Sequence, residues 1–456
     1  LAIVNEFVGN NQPVVGEVIP GRPATPVSNR VIVNTDITVN TTWTANNVYE
    51  LVNYVSVTNG ATLTIQAGTQ VEGRQSVATN AGAALYILRD GKIDAQGTPL
   101  QPIVFTCTQN AGEPSPRVKG CWGGVSILGS ARINDGTLGS PVITGRAEAG
   151  GCLQKGAEGE PAFYGGCNDD DNSGILRYSR IEYAGFRFTA TNELNGLALY
   201  GVGRGTTIDH VQVHAGKDDN IEMFGGTVNM KYMVSTAGSD DAFDFTEGWN
   251  GDTQFLIIQL DGLDSDNGFE NDNQQGNNDA LPRSTPTVYN VTMTSDRNFR
   301  TGTTESQNRG LLVRRGSRPH YFNFIVEGFT TAVAITDAST CVDSQTAAGF
   351  EFKNSLFALN NSLGGTAPAG CGGTVTAFLT GNGNTFPVAS PLLSPLSYTV
   401  PDFRPVSAAA VAGGAVPTGA NFDASATYIG AVAPSSSNVA PWYSGWTRGW
   451  QNATTP

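Results

Sequence analysis

The sequence predicts an all-β protein, a right-handed parallel β-helix (a β-solenoid), with an N-terminal extended arm and a Trp-rich C-terminal tail. The first observation is an internal repeat, in which two adjacent acids and a third acid shortly after them return 22 residues later. The two copies are Asp218, Asp219 and Glu222, then Asp240, Asp241 and Asp244. A fixed period in the low twenties is typical of a solenoid, whose coils bury one face against their neighbours.

The second observation is that apolar residues alternate with acids inside each copy, which predicts a strand and not a helix. Ile221 and Phe243 are then expected to point inward and stack, while Asp244 faces outward. The third observation is the spacing itself, because short strands repeated every 22 residues leave no room for crossover helices.

Taken in order, the chain divides into three parts. Residues 1–45 hold four prolines between short apolar runs, which predicts an extended arm. Residues 46–400 consist of short β-rich runs bounded by glycine turns, as coils of a β-helix require. Residues 401–456 are a Pro/Ala/Ser-rich linker followed by a cap or tail in which three of the six tryptophans fall within nine residues, namely Trp442, Trp446 and Trp450.

A second regularity marks the later coils, where a polar residue precedes each apolar strand. The members are Arg180, His210, Lys231, Gln254, Asn290, Asn323 and Asn354. We expect the three asparagines to stack as a ladder at one turn, where side-chain amides satisfy backbone groups.

The charge distribution excludes some partners. A net charge of −14 argues against nucleic acid and against anionic membrane surfaces. No apolar run approaches the length of a membrane-spanning helix. Residues 201–280 are strongly acidic and residues 281–320 are rich in arginine, so two adjoining sections of one rod are expected to carry opposite fields.

Six cysteines fall into three couples that are local in sequence: Cys107 with Cys121, Cys152 with Cys167, and Cys341 with Cys371. Six cysteines allow fifteen pairings, of which the local one is the simplest. Disulfides in an extracytoplasmic compartment are favoured over buried free thiols. The spacings match no zinc motif. The chain begins with Leu1, and 1–8 is too short for a signal core, so we expect an exported chain whose signal has been removed.

Several motifs together resemble a family of secreted bacterial surface proteins on a pectin-lyase-like β-helix scaffold. They are 60–69 (GATLTIQAGT), 97–106, 122–124 (WGG), 168–174 (NDDDNSG), 193–197 (ELNGL), 224–227 (FGGT), 428–431 (YIGA) and 446–450 (WTRGW). The resemblance covers about residues 45–450 and implies a parallel β-helix displayed outside the cell.

The duplicated acids need a partner, because two carboxylates about 5 Å apart repel each other. One interpretation is Asx-turn hydrogen bonding to backbone amides. The other is calcium, which prefers carboxylate and carbonyl oxygens, at Asp218, Asp219, Asp240 and Asp241. Asp169, Asp171 and Ser173 reproduce the first half of a calcium loop, although Arg180 stands where its final glutamate belongs. Residues 264–270 form a weaker candidate of the same kind.

Catalytic motifs are sparse. The sequence has no nucleophile elbow, phosphate loop or zinc-protease helix. Any enzyme must therefore use carboxylates, with Lys217 as a base, but an acid pair duplicated on successive coils is typical of a repeat unit and not of a single catalytic centre.

We therefore expect a non-enzymatic extracellular structural protein that self-associates head-to-tail into a fibre or surface array. The alternative is a polysaccharide-binding or polysaccharide-cleaving β-helix. Self-association would use the apolar strand Val31, Ile32 and Val33 as an added edge, with Trp442, Trp446 and Trp450 closing the joint. A contact of this kind propagates as a ring or filament.

Overall fold

A computed structural model describes residues 29–75, 82–108, 118–138, 152–159, 162–189, 192–260, 264–295, 308–344, 346, 349–388, 390–394, 402–434 and 440–448. Their regular structure is almost entirely β. The strands, in chain order, are β1 Asn29–Val33, β2 Thr41–Trp43, β3 Asn47–Leu51, β4 Tyr54–Val57, β5 Thr62–Ile65, β6 Gln70–Gly73, β7 Ala84–Ile87, β8 Lys92–Gln96, β9 Ile103–Cys107, β10 Val125–Leu128, β11 Thr137–Leu138, β12 Leu153–Gly156, β13 Phe163–Tyr164, β14 Gly174–Glu182, β15 Phe186–Thr189, β16 Asn192–Leu194, β17 Leu197–Tyr200, β18 Thr207–His214, β19 Ile221–Phe224, β20 Asn229–Thr236, β21 Phe243–Thr246, β22 Asp252–Gln259, β23 Asn267–Asn271, β24 Thr287–Thr294, β25 Arg309–Val313, β26 His320–Glu327, β27 Thr331–Ile335, β28 Glu351–Lys353, β29 Leu356–Ala358, β30 Ser362–Gly364 and β31 Thr385–Val388. Two short helices, α1 Ala338–Asp343 and α2 Val375–Thr380, lie near the C-terminal end of the rod. Neither described helix has the length and hydropathy to cross a membrane.

Two long parallel sheets form the walls of a right-handed β-helix, as predicted. Sheet A has 16 strands and runs from β1 to β31, and sheet B has 10 strands and runs from β4 to β30. Consecutive strands of each sheet come from successive coils and pair in register, so equivalent residues of each repeat lie directly above one another. Between the walls lies a continuous apolar core that includes Ile221, Phe243 and Phe269.

The long strands of sheet A bend at one residue each, and that bend separates two faces of the rod. In β14 the residues before Tyr178 pair with β8 and those after it pair with β9. The bend residues share a left-handed backbone and form one column: Tyr178, His210, Tyr232, Phe255, Asn290, Asn323 and Asn354.

Asn290, Asn323 and Asn354 stand in one column as expected, but Arg180, Lys231 and Gln254 do not belong to it. Their places are taken by Tyr178, Tyr232 and Phe255. Tyr178 and Tyr232 stack on the two sides of His210, with ring centroids 4.2 and 4.3 Å away, and Phe255 stacks on Tyr232 at 4.9 Å. Asparagine tolerates the left-handed conformation well. In the coils of β14, β18, β20 and β22, ring stacking at the bend stabilises residues that otherwise disfavour this conformation.

The β-helix begins earlier than the predicted boundary at residue 46. β1 pairs in register with β3, and β2 pairs with β5, so residues 29–45 form the first coil and not an extended arm. The physical reason is that the short apolar runs complete the exposed edge of the next coil. Residues 1–28 lie outside the described residues.

The C-terminal part, predicted as a linker and tail, folds back onto its own rod. We call residues 402–434 and 440–448 the strap. It covers the outer face of sheet A, where Phe403, Ala431 and Trp446 pack on Val234 and Ile257.

Side-chain amides of sheet A hold the strap in a way that imitates β-pairing. Gln254 accepts a bond from the Asp423 amide at 2.7 Å and donates to the Asp423 carbonyl at 3.2 Å. Asn323 makes the same pair of bonds with Ala415, at 2.7 and 2.9 Å, as Gln212 does with Arg448, at 2.7 and 3.2 Å.

The tryptophans expected at a joint between copies lie within this strap. Trp446 is fully buried and Trp442 is half-buried, and both contact His210 of the same chain. Trp446 therefore presents no face to a second copy. Trp450 lies outside the described residues.

The six cysteines form the three local disulfides Cys107–Cys121, Cys152–Cys167 and Cys341–Cys371. The first two close loops of 14 and 15 residues, and the third links α1 to the turn before α2 across 30 residues. All six thiols of the sequence are thereby paired.

Candidate functional site

A column of carboxylates lies on the outer face of sheet B. β19, β21 and β23 place Glu222, Asp244 and Glu270 in register on three successive coils. Their neighbours in each strand belong to the apolar core, so alternation directs the acids away from it. We call Glu222, Asp244 and Glu270, with Asp219 and Asp241 of the preceding turns, the acid column.

Asp219 and Asp241 hold the turns of successive coils together. One oxygen of Asp219 accepts a bond from the Asp241 amide at 2.9 Å, and one oxygen of Asp241 accepts from the Asn267 amide at 2.7 Å. The repeat thus carries an Asx-type bond from each coil to the next. This is the first of the two interpretations that the sequence left open, and it occupies one oxygen of each carboxylate.

Asp244 does not face solvent, contrary to the expectation from strand alternation. Glu222 is 9% exposed and Asp244 is 8% exposed. The outer face of a strand in this region is covered by neighbouring coils and turns, so alternation separates core from outer face but does not decide exposure.

Burial and mutual repulsion perturb these acids strongly. Burial, followed by the charges of Asp244 and Glu222, raises the pKa of Asp219 well above its usual range. The pKa values of Glu222, Asp241 and Asp244 are raised well above theirs by burial and by neighbouring acids. Burial raises the pKa of Glu270 to about 7.

Each end of the column has a polar partner. At one end the side-chain amide of Asn195 donates to Glu222. At the other end Arg314 forms ion pairs with Glu270 and with Asp272, the latter at 2.8 Å. In the part of the arginine-rich section that the structure describes, Arg314, Arg315 and Arg318 pair with acids of adjoining turns, so their charges are offset locally.

Two groups of three carboxylates have mutual oxygen separations within 4.8 Å. The first is Asp219, Asp240 and Asp241, which are three of the four acids predicted from the repeat. Asp218 is buried beside them and helps to raise the pKa of Asp219. The second group is Asp219, Glu222 and Asp244.

Sequence reasoning did not assign Glu222 and Asp244 to a site, although they belong to the same repeat. Strand alternation predicts that both side chains point outward into solvent, so they were not assigned as ligands. Glu270 falls in the weaker candidate 264–270, which the structure identifies as a third copy of the repeat stacked on the first two.

In the predicted calcium loop, the carboxylates of Asp169 and Asp171 accept hydrogen bonds from side chains and backbone of the chain itself. Asp169 accepts bonds from the backbone and guanidinium of Arg132, which hold its pKa below the usual range. Asp171 accepts from the Ser130 hydroxyl at 2.6 Å and from the Ser173 hydroxyl at 3.2 Å. These donors come from the chain itself and hold the turn together.

Another perturbed carboxylate, the half-buried Glu158, follows β12 of the small antiparallel sheet β11–β13 and contacts Tyr200 of sheet B. Burial raises the pKa of Glu158 to about 7, and its carboxylate accepts a bond from Tyr200 at 3.2 Å. Nearby, Lys155 bridges Asp135 and Glu247, and Tyr164 donates to Glu247 at 2.7 Å. This network fixes the insertion to the rod.

A groove of about 450 Å³ opens near the C-terminal end of the rod. Its lining includes Phe350, Phe378, Glu351, Lys353 and Asn382, and it includes none of the acid column. Glu351 is held by Lys353 at 2.6 Å and by His320 at 3.0 Å. Lys217, the expected base, is exposed and does not line this groove.

The two long parallel sheets define a protein of the parallel β-helix class. A family model described as a pectate-lyase like beta helix domain matches residues 35–363, which is more than half of the chain. The chain belongs to this family. No curated protein and no solved structure matches it.

Proposed function

We propose that this β-helix is a non-enzymatic extracellular structural protein that self-associates end to end into a fibre or surface array. The observation that carries the proposal is the edge strand β1. Its one partner among the described residues is β3, and its other edge is unpaired there. Val31 is 37% exposed and Ile32 is 50% exposed on this strand.

The two ends of sheet A are compatible with a head-to-tail contact. β1 and β31 are its terminal strands, and the ladder between them is parallel throughout. A second copy stacked on the rod would therefore continue the same ladder in the same direction. Such a contact is heterologous, and repeated addition generates a filament. Val31, Ile32 and Val33 remain the proposed interface residues.

An extracellular location is supported by the disulfides. All six cysteines are paired, and disulfides of this kind persist in oxidising compartments. The bridges tie Cys107, at the end of β9, and Cys341, in α1, to neighbouring turns, and Cys152 to Cys167 across β12 and β13, where they limit local opening.

The non-enzymatic part of the proposal is supported by the burial of the acids. Glycoside hydrolysis needs two carboxyls that flank a bound substrate bond. Asp219, Glu222 and Asp244 are buried on the coils, and Asp219 also holds the next turn. Their position is suited to holding coils together.

Polysaccharide binding is the second candidate, and the groove near the C-terminal end favours it. The partly exposed ring of Phe378 lies beside the polar side chains of Glu351, Lys353 and Asn382, a combination that suits sugar rings with hydroxyl groups. Binding of oligosaccharides that is lost in Phe378→Ala would support this candidate, and it is compatible with a structural role.

The test of self-association uses Ile32→Lys, because a lysine on an edge strand opposes strand addition. The matched control is Leu281→Lys, at a residue that is 75% exposed and outside both sheets. Light scattering and electron microscopy should show elongated assemblies for the wild type and the control, and monomers of unchanged melting temperature for Ile32→Lys. A monomeric wild type at high concentration, or assembly that Ile32→Lys leaves intact, would refute the proposal.

A further inference from the structure

We propose that Asp219, Glu222 and Asp244, together with the side-chain oxygen of Asn195, bind a calcium ion on the outer face of sheet B. The three carboxylates each offer an oxygen, and these oxygens lie within 4.8 Å of one another. Calcium binds oxygens at about 2.3–2.6 Å, so two ligands of one ion can be up to about 5 Å apart. The three oxygens can therefore contact a single ion.

Two buried oxygens at this place have no hydrogen-bond partner. One is Oδ1 of Asp244 and the other is Oδ1 of Asn195, a residue that is only 2% exposed. The amide nitrogen of Asn195 donates to Glu222, so the side chain is directed into the group. A buried oxygen without a donor is unfavourable, and a cation would satisfy both.

The charge of the group points the same way. None of the described lysines and arginines forms an ion pair with Asp219, Glu222 or Asp244. Arg314, at the end of the column, contacts Glu270 and Asp272 instead. Arg314 acts on Asp244 only at a distance, without a direct ion pair. Three buried carboxylates with no cation in direct contact are strongly unfavourable unless protons or a metal ion neutralise them.

The donor set selects the metal. It contains oxygens only, from carboxylates and one amide, with neither histidine nor cysteine, which disfavours zinc and copper. Calcium accepts six to eight oxygens in irregular geometry, and bidentate carboxylates with water can complete the shell. Magnesium demands a near-ideal octahedron and retains its water, which a buried group on two coils does not favour.

The site would join two coils by one ion. Glu222 and Asp244 belong to β19 and β21, and Asp219 belongs to the turn before β19. The competing explanation is that these acids share protons, which agrees with the raised pKa values of all three. Both explanations fit the same carboxylates, and they predict different responses to calcium.

The experiment measures calcium binding by titration calorimetry and the melting temperature of the chelator-treated full chain in a series of calcium concentrations. We expect one ion per chain and a melting temperature that rises with each tenfold increase in calcium. Asp244→Asn and Glu222→Gln should each weaken calcium binding at least tenfold, because each removes a charged ligand.

Asp240→Asn is the matched control, since Asp240 belongs to the neighbouring group and not to this one. Calcium binding should survive in this variant. If Asp240→Asn abolishes binding while Asp244→Asn retains it, the assignment is wrong. If calcium neither binds nor raises the wild-type melting temperature, and Asp244→Asn raises it at neutral pH, the acids share protons and the proposal is overturned.

Discussion

Replacing Trp446 by alanine should release the strap while the rod stays folded. The indole is fully buried, its ring lies 5.8 Å from that of Tyr178 and 5.7 Å from that of His210, and its Nε1 donates to the Trp442 carbonyl at 2.9 Å. Large-to-small substitutions of buried tryptophan cost about 3–5 kcal/mol. Because Trp446 belongs to the apolar cluster under the strap and not to the core between the sheets, this loss should fall on strap docking.

The magnitude can be measured by amide hydrogen exchange. A loss of 3–5 kcal/mol corresponds to opening that is about 10²- to 10⁴-fold more frequent. We expect exchange in 402–434 and 440–448 to accelerate by about that factor, while exchange in β18 and β20 stays slow. Val416→Ala is the control, because Val416 lies in the strap and is 57% exposed, and it should change protection little. Uniform loss of protection along the rod, or unchanged exchange in the strap, would refute the conclusion that Trp446 stabilises the docking of the strap and not the rod.

Two further predictions concern the core and the buried acids. Phe243 is fully buried and its ring lies 5.0 Å from that of Phe269, so Phe243→Ala should lower the free energy of unfolding by about 3–5 kcal/mol in denaturant titration. The control Leu281→Ala, at an exposed residue, should change it by less than about 0.5 kcal/mol. Equal effects would contradict the strand register that places Phe243 in the core. Burial raises the pKa of Glu158 to about 7, so in chelator this group should lower the free energy of unfolding by up to about 3 kcal/mol as pH rises from its unfolded value of about 4.3 through 7. The acid column lowers it over the same range, so Glu158→Gln should make the total fall smaller by about that amount. An unchanged fall in Glu158→Gln would assign the whole effect to the other acids.

The repeat was sufficient to predict the solenoid and its register. Asp218, Asp219 and Glu222 return as Asp240, Asp241 and Asp244, and the structure stacks the strands that carry them residue on residue. A periodic sequence determines register because equivalent residues of successive coils must occupy equivalent places. Alternation likewise placed Ile221 and Phe243 in the core.

Exposure on the outer face was decided only by the tertiary structure. Asp244 was expected in solvent and is only 8% exposed, with Glu222 and Glu270 of the adjoining coils on its two sides, and no local pattern encodes this burial. Glu270 joins the column although its segment follows the second copy at a different spacing, since an intervening turn of another length restores the register. The convergence of Asn195 on Glu222 depends on a third segment in the same way.

In the strap, too, some features follow from the sequence and others only from the tertiary structure. Sequence determined where Trp442 and Trp446 stand and that the amides of Asn290 and Asn323 stack in one column. Only the tertiary structure decided that Asn323 binds the backbone of Ala415 and that Trp446 packs against His210. A periodic segment finds its partner one period away. The strap has no repeat and contacts residues as far as 266 positions away, as in the Arg448–Glu182 pair, so its partners are settled by the shape and polarity of the finished rod.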